Sequence, residues 1–158
     1  MNRLNWNDEF FMELPEGFVL MSEEDLKAAG LKTGGNILGA RNQERHFLIS
    51  GGWKNAGLLG MLLNEKDAEE NSEREILKAM KPYGGTLSER LRREIGGLNA
   101  EGFSYGYTAQ DIPMTAEMYV IKSGSTFCYF YGYYRTEGKA EGHALWNEML
   151  DSVIHEKH

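Results

Sequence analysis

The 158-residue chain has one cysteine and three prolines. Its longest apolar stretch is Gly57 to Leu63. Each of these shortages removes a class of protein. With Cys128 alone no internal disulfide can form, so nothing points to oxidative folding and a reducing compartment, the cytoplasm, is expected. So few prolines exclude a proline-rich linker protein. A membrane helix needs roughly 20 apolar residues, far more than Gly57–Leu63 offers. Met1 to Trp6 is not a basic segment followed by an apolar one, so neither an export signal nor a membrane partner is expected.

Basic residues are also in deficit, 17 against 24 acidic for a net charge of −7. The excess is spread along the chain, and no charged tail exists. This balance argues against nucleic acid, which binds through clustered Lys and Arg. Arg90, Arg92 and Arg93 lie between Glu89 and Glu94, the pattern of a solvated face of mixed sign.

Motifs that carry chemistry are missing too. There is no G-x-S-x-G elbow and no phosphate-binding glycine loop, although glycines number 19 and pair at Gly34-Gly35, Gly51-Gly52, Gly84-Gly85 and Gly96-Gly97. The pairs fall between periodic segments, as turn glycines do. Glu65, Asp67, Glu69, Glu70, Glu73 and Glu75 lack the spacing of a calcium loop and read as a solvated helix start. His155 and His158 are one helical turn apart but have no third ligand. No metal site and no cofactor is expected.

What the chain does have is a core-forming composition and a concentration of aromatics. Ten of its 18 aromatic residues, seven of them tyrosines, lie between Phe103 and Tyr134. Phe103, Tyr105 and Tyr107 alternate with small residues, Met118 and Val120 alternate with Tyr119 and Ile121, and Phe127, Tyr129, Tyr131 and Tyr133 alternate with Cys128, Phe130 and Tyr134. A period of two predicts three successive antiparallel strands, the last pair joined by a tight turn at Ser123-Gly124.

Upstream, Phe10–Leu14 reads as a strand before a Pro15–Gly17 turn, with Phe18–Met21 extended after it. Ser22 and Asp25 form a capping box, with Gly30 as the stop. Asn36–Arg41 and Glu44–Gly51 suit a hairpin. Gly57–Leu63 is a buried strand or a helical turn. Ser72 and Glu75 have capping-box spacing before the stripe Ile76, Leu77 and Met80, and the helix ends at Pro82–Gly85. Leu87, Leu91 and Ile95 fit either a helix face or a strand face. Leu145, Trp146, Met149, Leu150, Val153 and Ile154 mark an amphipathic C-terminal helix.

Segregated strands and helices make the class α+β. Aromatics on both faces of the last strand require cover on both, so residues 1–158 are expected to form a single domain with a twisted antiparallel sheet between helices, an α/β/α sandwich. The element order resembles the PsbP-like fold. The resemblance is carried by Leu14-Pro-Glu-Gly-Phe18 with the helix at Ser22, by Gly97-Leu-Asn-Ala-Glu-Gly-Phe-Ser-Tyr-Gly-Tyr107, by Glu117-Met-Tyr-Val-Ile-Lys122 and Phe127-Cys-Tyr-Phe-Tyr131, and by the closing helix with Trp146. That fold is shared by a photosynthetic oxygen-evolving-complex subunit, the Mog-type Ran-binding import factor and many uncharacterised bacterial proteins. The resemblance implies a sandwich with a binding or adaptor role and no catalytic residues to transfer. No Ran-contacting motif matches.

Tyrosine is amphipathic, loses little conformational entropy when ordered, and is enriched at binding surfaces. The expected function is therefore a non-enzymatic module for a protein or peptide, monomeric or weakly self-associating. Its expected surface is Tyr105, Tyr107, Tyr129, Tyr131, Tyr133, Tyr134 and Arg135, with Trp53 at the same edge. The alternative is a small-molecule site or an enzyme with His46 and Cys128 in one cleft, since these are residue types able to serve as base and nucleophile. Alone in an apolar strand, Cys128 reads more simply as an inert thiol.

Overall fold

The computed structural model describes residues 2–30 and 36–156. The Gly34-Gly35 pair and His158 lie outside them. In chain order the elements are β1 (Arg3–Trp6), β2 (Phe10–Glu13), β3 (Val19–Leu20), α1 (Glu23–Ala28), β4 (Ile37–Asn42), β5 (Phe47–Asn55), α2 (Gly57–Leu62) and α3 (Glu65–Met80). A 3-10 turn at Lys81–Tyr83 leads to β6 (Thr86–Ile95), β7 (Leu98–Ala109), β8 (Ile112–Ser123), β9 (Thr126–Arg135), α4 (Lys139–Asp151) and β10 (Ile154–His155).

Seven strands form one antiparallel sheet in the order β3-β4-β5-β9-β8-β7-β6, and β1-β2-β10 form a smaller one. Residues directly opposite each other in an antiparallel pair share a face. The pairs Tyr119↔Phe130, Ile121↔Cys128 and Phe47↔Tyr134 therefore define one face, and Met118↔Tyr131, Ala116↔Tyr133 and Phe103↔Met118 the other.

The first face lies under α4 and the small sheet. Trp6, Phe10, Met12, Phe130, Trp146 and Met149 are all essentially sealed from solvent there, and each large apolar side chain so buried is worth roughly 1.5–3 kcal/mol. Trp6 stacks on Phe130 with ring centroids 4.4 Å apart, and its indole N–H donates to the Tyr129 carbonyl at 2.9 Å. Gly132 lets α4 sit this low, because a Cβ there would come within 2.7 Å of the Trp146 ring.

The second face is covered by two helices. Ile76, Leu77 and Met80 of α3 pack on Phe103, Tyr105, Ala116 and Met118. Over β4, Leu26 of α1 occupies the space above Gly39, where a Cβ would meet Leu26 Cδ2 at 2.6 Å. Helices thus lie on both faces, as the two-sided aromatic pattern requires.

The Ser22/Asp25 capping box forms as read, with Ser22 Oγ accepting from the Asp25 N–H at 3.1 Å and Asp25 Oδ2 from the Ser22 N–H at 3.0 Å. Several expectations need correction. The N-cap of helix α3 lies eight residues before Ser72, at Asn64, which forms the capping box with Asp67 through two 2.9 Å bonds. Leu87–Ile95, whose spacing fits either a helix or a strand, is a strand, and a register shift between Leu87 and Glu89 disturbs its alternation. The β4–β5 connection is longer than Asn42-Gln43, because Asn42 is still paired and the chain turns through His46 at φ 52°. The two-residue loop of β8–β9 is Gly124-Ser125, with Gly124 at φ 62°. The C-terminal helix ends at Asp151, and Ile154 and His155 form β10 against β2. Among the described residues no helix is long and apolar enough to cross a membrane.

Candidate functional site

The tyrosines are divided by strand parity. Tyr129, Tyr131 and Tyr133 form a ladder along β9 on the α1/α3 face, with successive rings stacked at 6.5 and 6.4 Å and nearly parallel. All three are half-buried, as are Tyr107 and Arg135. Ser50 lies beside this row and hydrogen-bonds the Tyr133 hydroxyl at 3.5 Å. A hollow of about 210 Å³ opens where Tyr129 and Tyr131 meet Asn36, Ile37 and Gly52, with Trp53 at its border. Burial pushes the Tyr107 phenol up to about 12 and moves Tyr131 and Tyr133 in the same direction, so this face presents neutral hydroxyls.

The other expected members lie elsewhere. Tyr134 has even parity and points into the α4 core, where it is 2% exposed. Tyr105 is on the ladder's face but is sealed beneath α3. Trp53 pairs with Cys128 and packs against the opposite core, six positions along the strand from the Phe47↔Tyr134 pair. The small residues between Phe103 and Tyr105 are covered: Tyr119 fills the space above Gly102, and Ser104 is buried.

His46 and Cys128 are not brought together. Cys128 is fully buried and opposite Trp53, whereas His46 is exposed in the turn just before Phe47, a separation of about 20 Å at 3.3 Å per strand residue. Burial raises the Cys128 thiol to about 12, the reverse of what a thiolate nucleophile needs. His155, read as one turn from His158, instead bonds Glu9 Oε1 at 2.8 Å and stacks on Phe10. Among the described residues no cluster of three or more His, Cys, Asp or Glu could hold a metal ion.

Two polar groupings escaped the sequence reading. In the first, Glu117 is 2% exposed on the α4 face, accepts the Tyr134 hydroxyl at 2.5 Å and faces His143 Nδ1 at 2.9 Å. His143 continues to Asn147 at 3.0 Å, which accepts from Arg93 at 2.7 Å, and Arg93 also pairs with Asp151. This chain fastens α4 to the sheet. Its readable signal was a lone acid amid the apolar residues of β8.

The second is the cleft between α3 and the β6–β7 edge, about 640 Å³ in volume and lined by Lys66, Glu69, Glu73, Arg90, Arg92 and Glu101 among others. Glu69 and Glu73 continue the stripe of Ile76, Leu77 and Met80 at helical spacing, and that spacing is why they turn inward. Glu73 pairs with Arg90 and Glu101 with Arg92, each at 2.8 Å. Among the described residues Glu69 has no such cation within ion-pair distance. Its burial, its hydrogen bond with Glu73 and the Glu73 charge raise it to about 7.

A third feature is apolar. Helix α2 rests on the β8–β9 turn by its smallest side: a Cβ on Gly60 would meet the Ser125 carbonyl at 2.7 Å, and the Ala56 N–H donates to that oxygen at 3.0 Å. Its large side chains therefore face outward. Leu58, Leu59, Met61 and Leu62 are 83, 66, 71 and 81% exposed. Lys122 donates to the Leu63 carbonyl at 2.7 Å, which holds the α2–α3 junction on the tyrosine side of the sheet.

These features define a PsbP-like α+β sandwich. Cyanobacterial PsbP (CyanoP) from Synechocystis sp. PCC 6803 superimposes with a TM-score of 0.70 at 13% identity over 95% of this chain and 88% of that one. LpqN of Mycobacterium tuberculosis, described as involved in cell envelope biogenesis, gives 0.63 at 11% identity over 94% and 83%. A Pseudomonas aeruginosa protein of unknown function, described as a putative regulator, gives 0.52 at 12% identity over the whole of this chain and 99% of its own. At these identities the likeness establishes the fold alone. No family model and no curated protein matches the chain.

Proposed function

We propose that the chain is a non-enzymatic module that binds a protein or peptide through apolar contacts. The observation that carries this reading is α2, with four large apolar side chains more than half exposed on a short helix seated on the β8–β9 turn, on the sheet face that carries Tyr129, Tyr131 and Tyr133. Clustered apolar exposure of this kind marks interaction surfaces, and neutral tyrosines supply a rigid, amphipathic border. No charged side chain lies within Gly57–Leu62, so the partner segment is itself apolar, such as the hydrophobic face of an amphipathic helix.

Cytoplasmic residence is part of the proposal and is supported by the single, unpaired Cys128. The proposed surface leaves out Tyr134, Tyr105 and Trp53, which belong to packing, and adds α2 to Tyr129, Tyr131 and Tyr133 on the same sheet face.

Peptide-display selection on the wild type and on the double variant Leu58→Ser/Leu62→Ser tests this reading. The expected result is enrichment of peptides with apolar residues at i, i+3 and i+4 on the wild type, lost on the variant. Equal enrichment on both proteins would contradict it.

A further inference from the structure

We propose that the cleft between α3 and the β6–β7 edge binds a small zwitterion, taking its ammonium group first and holding its anionic group at the rim. The cleft is graded in charge with depth. On its floor lie Glu69, 4% exposed, and the Glu73 and Glu101 side chains, each 12% exposed. At its mouth the partners of the latter two, Arg90 and Arg92, are 70 and 67% exposed. Lys66, Glu70 and Arg74 line it from α3 at intervals of four residues.

The one donor on the floor is the proton that Glu69 shares with Glu73. Glu69 Oε1 and Glu73 Oε2 are closed off from solvent, and without that proton no group among the described residues donates to them. Buried acceptors without partners cost stability, and buried carboxylates do so most. A primary ammonium carries three N–H donors and the opposite charge, so it satisfies both oxygens at once. The exposed Arg90 head is the movable cover, since it reaches Glu73 by a single 2.8 Å contact and is otherwise in water. Once displaced toward the rim, Arg90 and Arg92 together face the ligand's anionic end.

Binding follows a proton exchange. Burial, Glu73 and Glu70 raise the proton affinity of Glu69, Arg90 lowers it, and Lys66, Arg74, Arg92 and Glu101 line the same cleft, so that Glu69 holds its proton to about pH 7. The incoming ammonium displaces that proton to solvent. Affinity therefore rises with pH, by up to about tenfold per unit, until Glu69 is ionised.

The test is isothermal titration with γ-aminobutyrate, 6-aminohexanoate and n-butylamine at pH 6, 7 and 8. Backbone amide shifts of α3 and β6 locate the binding. A zwitterion is expected to bind at least about tenfold more tightly than n-butylamine, more strongly at pH 8 than at pH 6, with release of a proton. Glu69→Gln, which keeps the shape, should weaken binding at least about tenfold and flatten its pH dependence. Arg92→Ala should erase the advantage of the zwitterions over n-butylamine. Failure of both zwitterions to bind at 10 mM (about the top of a usable titration range), n-butylamine binding as well as they do, or unchanged binding in a folded Glu69→Gln protein would each overturn the proposal.

Discussion

Glu117 and Glu69 are both glutamates with almost no exposed surface, 2 and 4%, yet the fold treats them in opposite ways. Glu117 sits on the α4 face and has partners for both oxygens, the Tyr134 hydroxyl and the His143 ring. Glu69 sits on the α3 face with burial and its carboxylate neighbour Glu73 raising its proton affinity, and among the described residues nothing but a shared proton serves its Oε1. A buried carboxylate that is fully hydrogen-bonded joins two elements. One that is buried without donors destabilises the folded chain until something supplies them. The contrast separates a fastening from a site without any appeal to catalytic motifs.

The largest expected effect breaks the fastening. Glu117→Ala removes the acceptor of Tyr134 and His143 and opens a cavity, so chemical denaturation should show a loss of about 3 kcal/mol. Glu69→Gln should do the reverse. A carboxyl whose proton affinity is raised on folding leaves stability intact below its unfolded value near 4.5 and reduces it as pH climbs to about 7. The variant should therefore match the wild type at pH 4 and exceed it at pH 8 by roughly 2 kcal/mol, read from urea midpoints. Tyr134→Phe takes one of the donors from Glu117 but leaves His143, and should cost about 1 kcal/mol by the same measurement. Smallest is Leu58→Ser/Leu62→Ser, which alters a surface both residues leave in water and should shift stability by no more than about 0.5 kcal/mol while abolishing peptide capture.

Most of the sandwich was legible, and the reasons are particular. Alternation in Phe103–Tyr107 and Phe127–Tyr134 exposes β7 and β9 because both faces of those strands are packed. The Ser22/Asp25 box and the Leu145–Leu150 stripe fix α1 and α4 by local chemistry alone. The β6 strand stayed ambiguous because Leu87, Leu91 and Ile95 are four apart, a spacing shared with helices, and a bulge after Leu87 sends Leu87 and Leu91 to opposite faces of the sheet. Strands β1 and β10 are too short to show a period, and they exist only because β2 pairs with both.

The site was less legible because it depends on contacts distant in sequence. Tyr133 and Tyr134 are adjacent in the chain and look equivalent until β9 is placed, and then parity sends them to opposite faces. Glu73 reaches Arg90 and Glu117 reaches His143 across gaps that no local pattern encodes. One signal could have been read. The stripe Ile76, Leu77 and Met80 extends back through Glu73 to Glu69 at the same helical spacing, and acids on the buried side of a helix need an explanation that solvated acids do not.

The contrast between the two glutamates can be measured directly by following the side-chain carboxyl carbon of Glu69 by NMR from pH 4 to 9, with and without γ-aminobutyrate. The account predicts a midpoint near 7 in the free protein that falls by a unit or more when the zwitterion is added. A midpoint in the ordinary carboxylate range near 4.5, unmoved by the zwitterion, would contradict it.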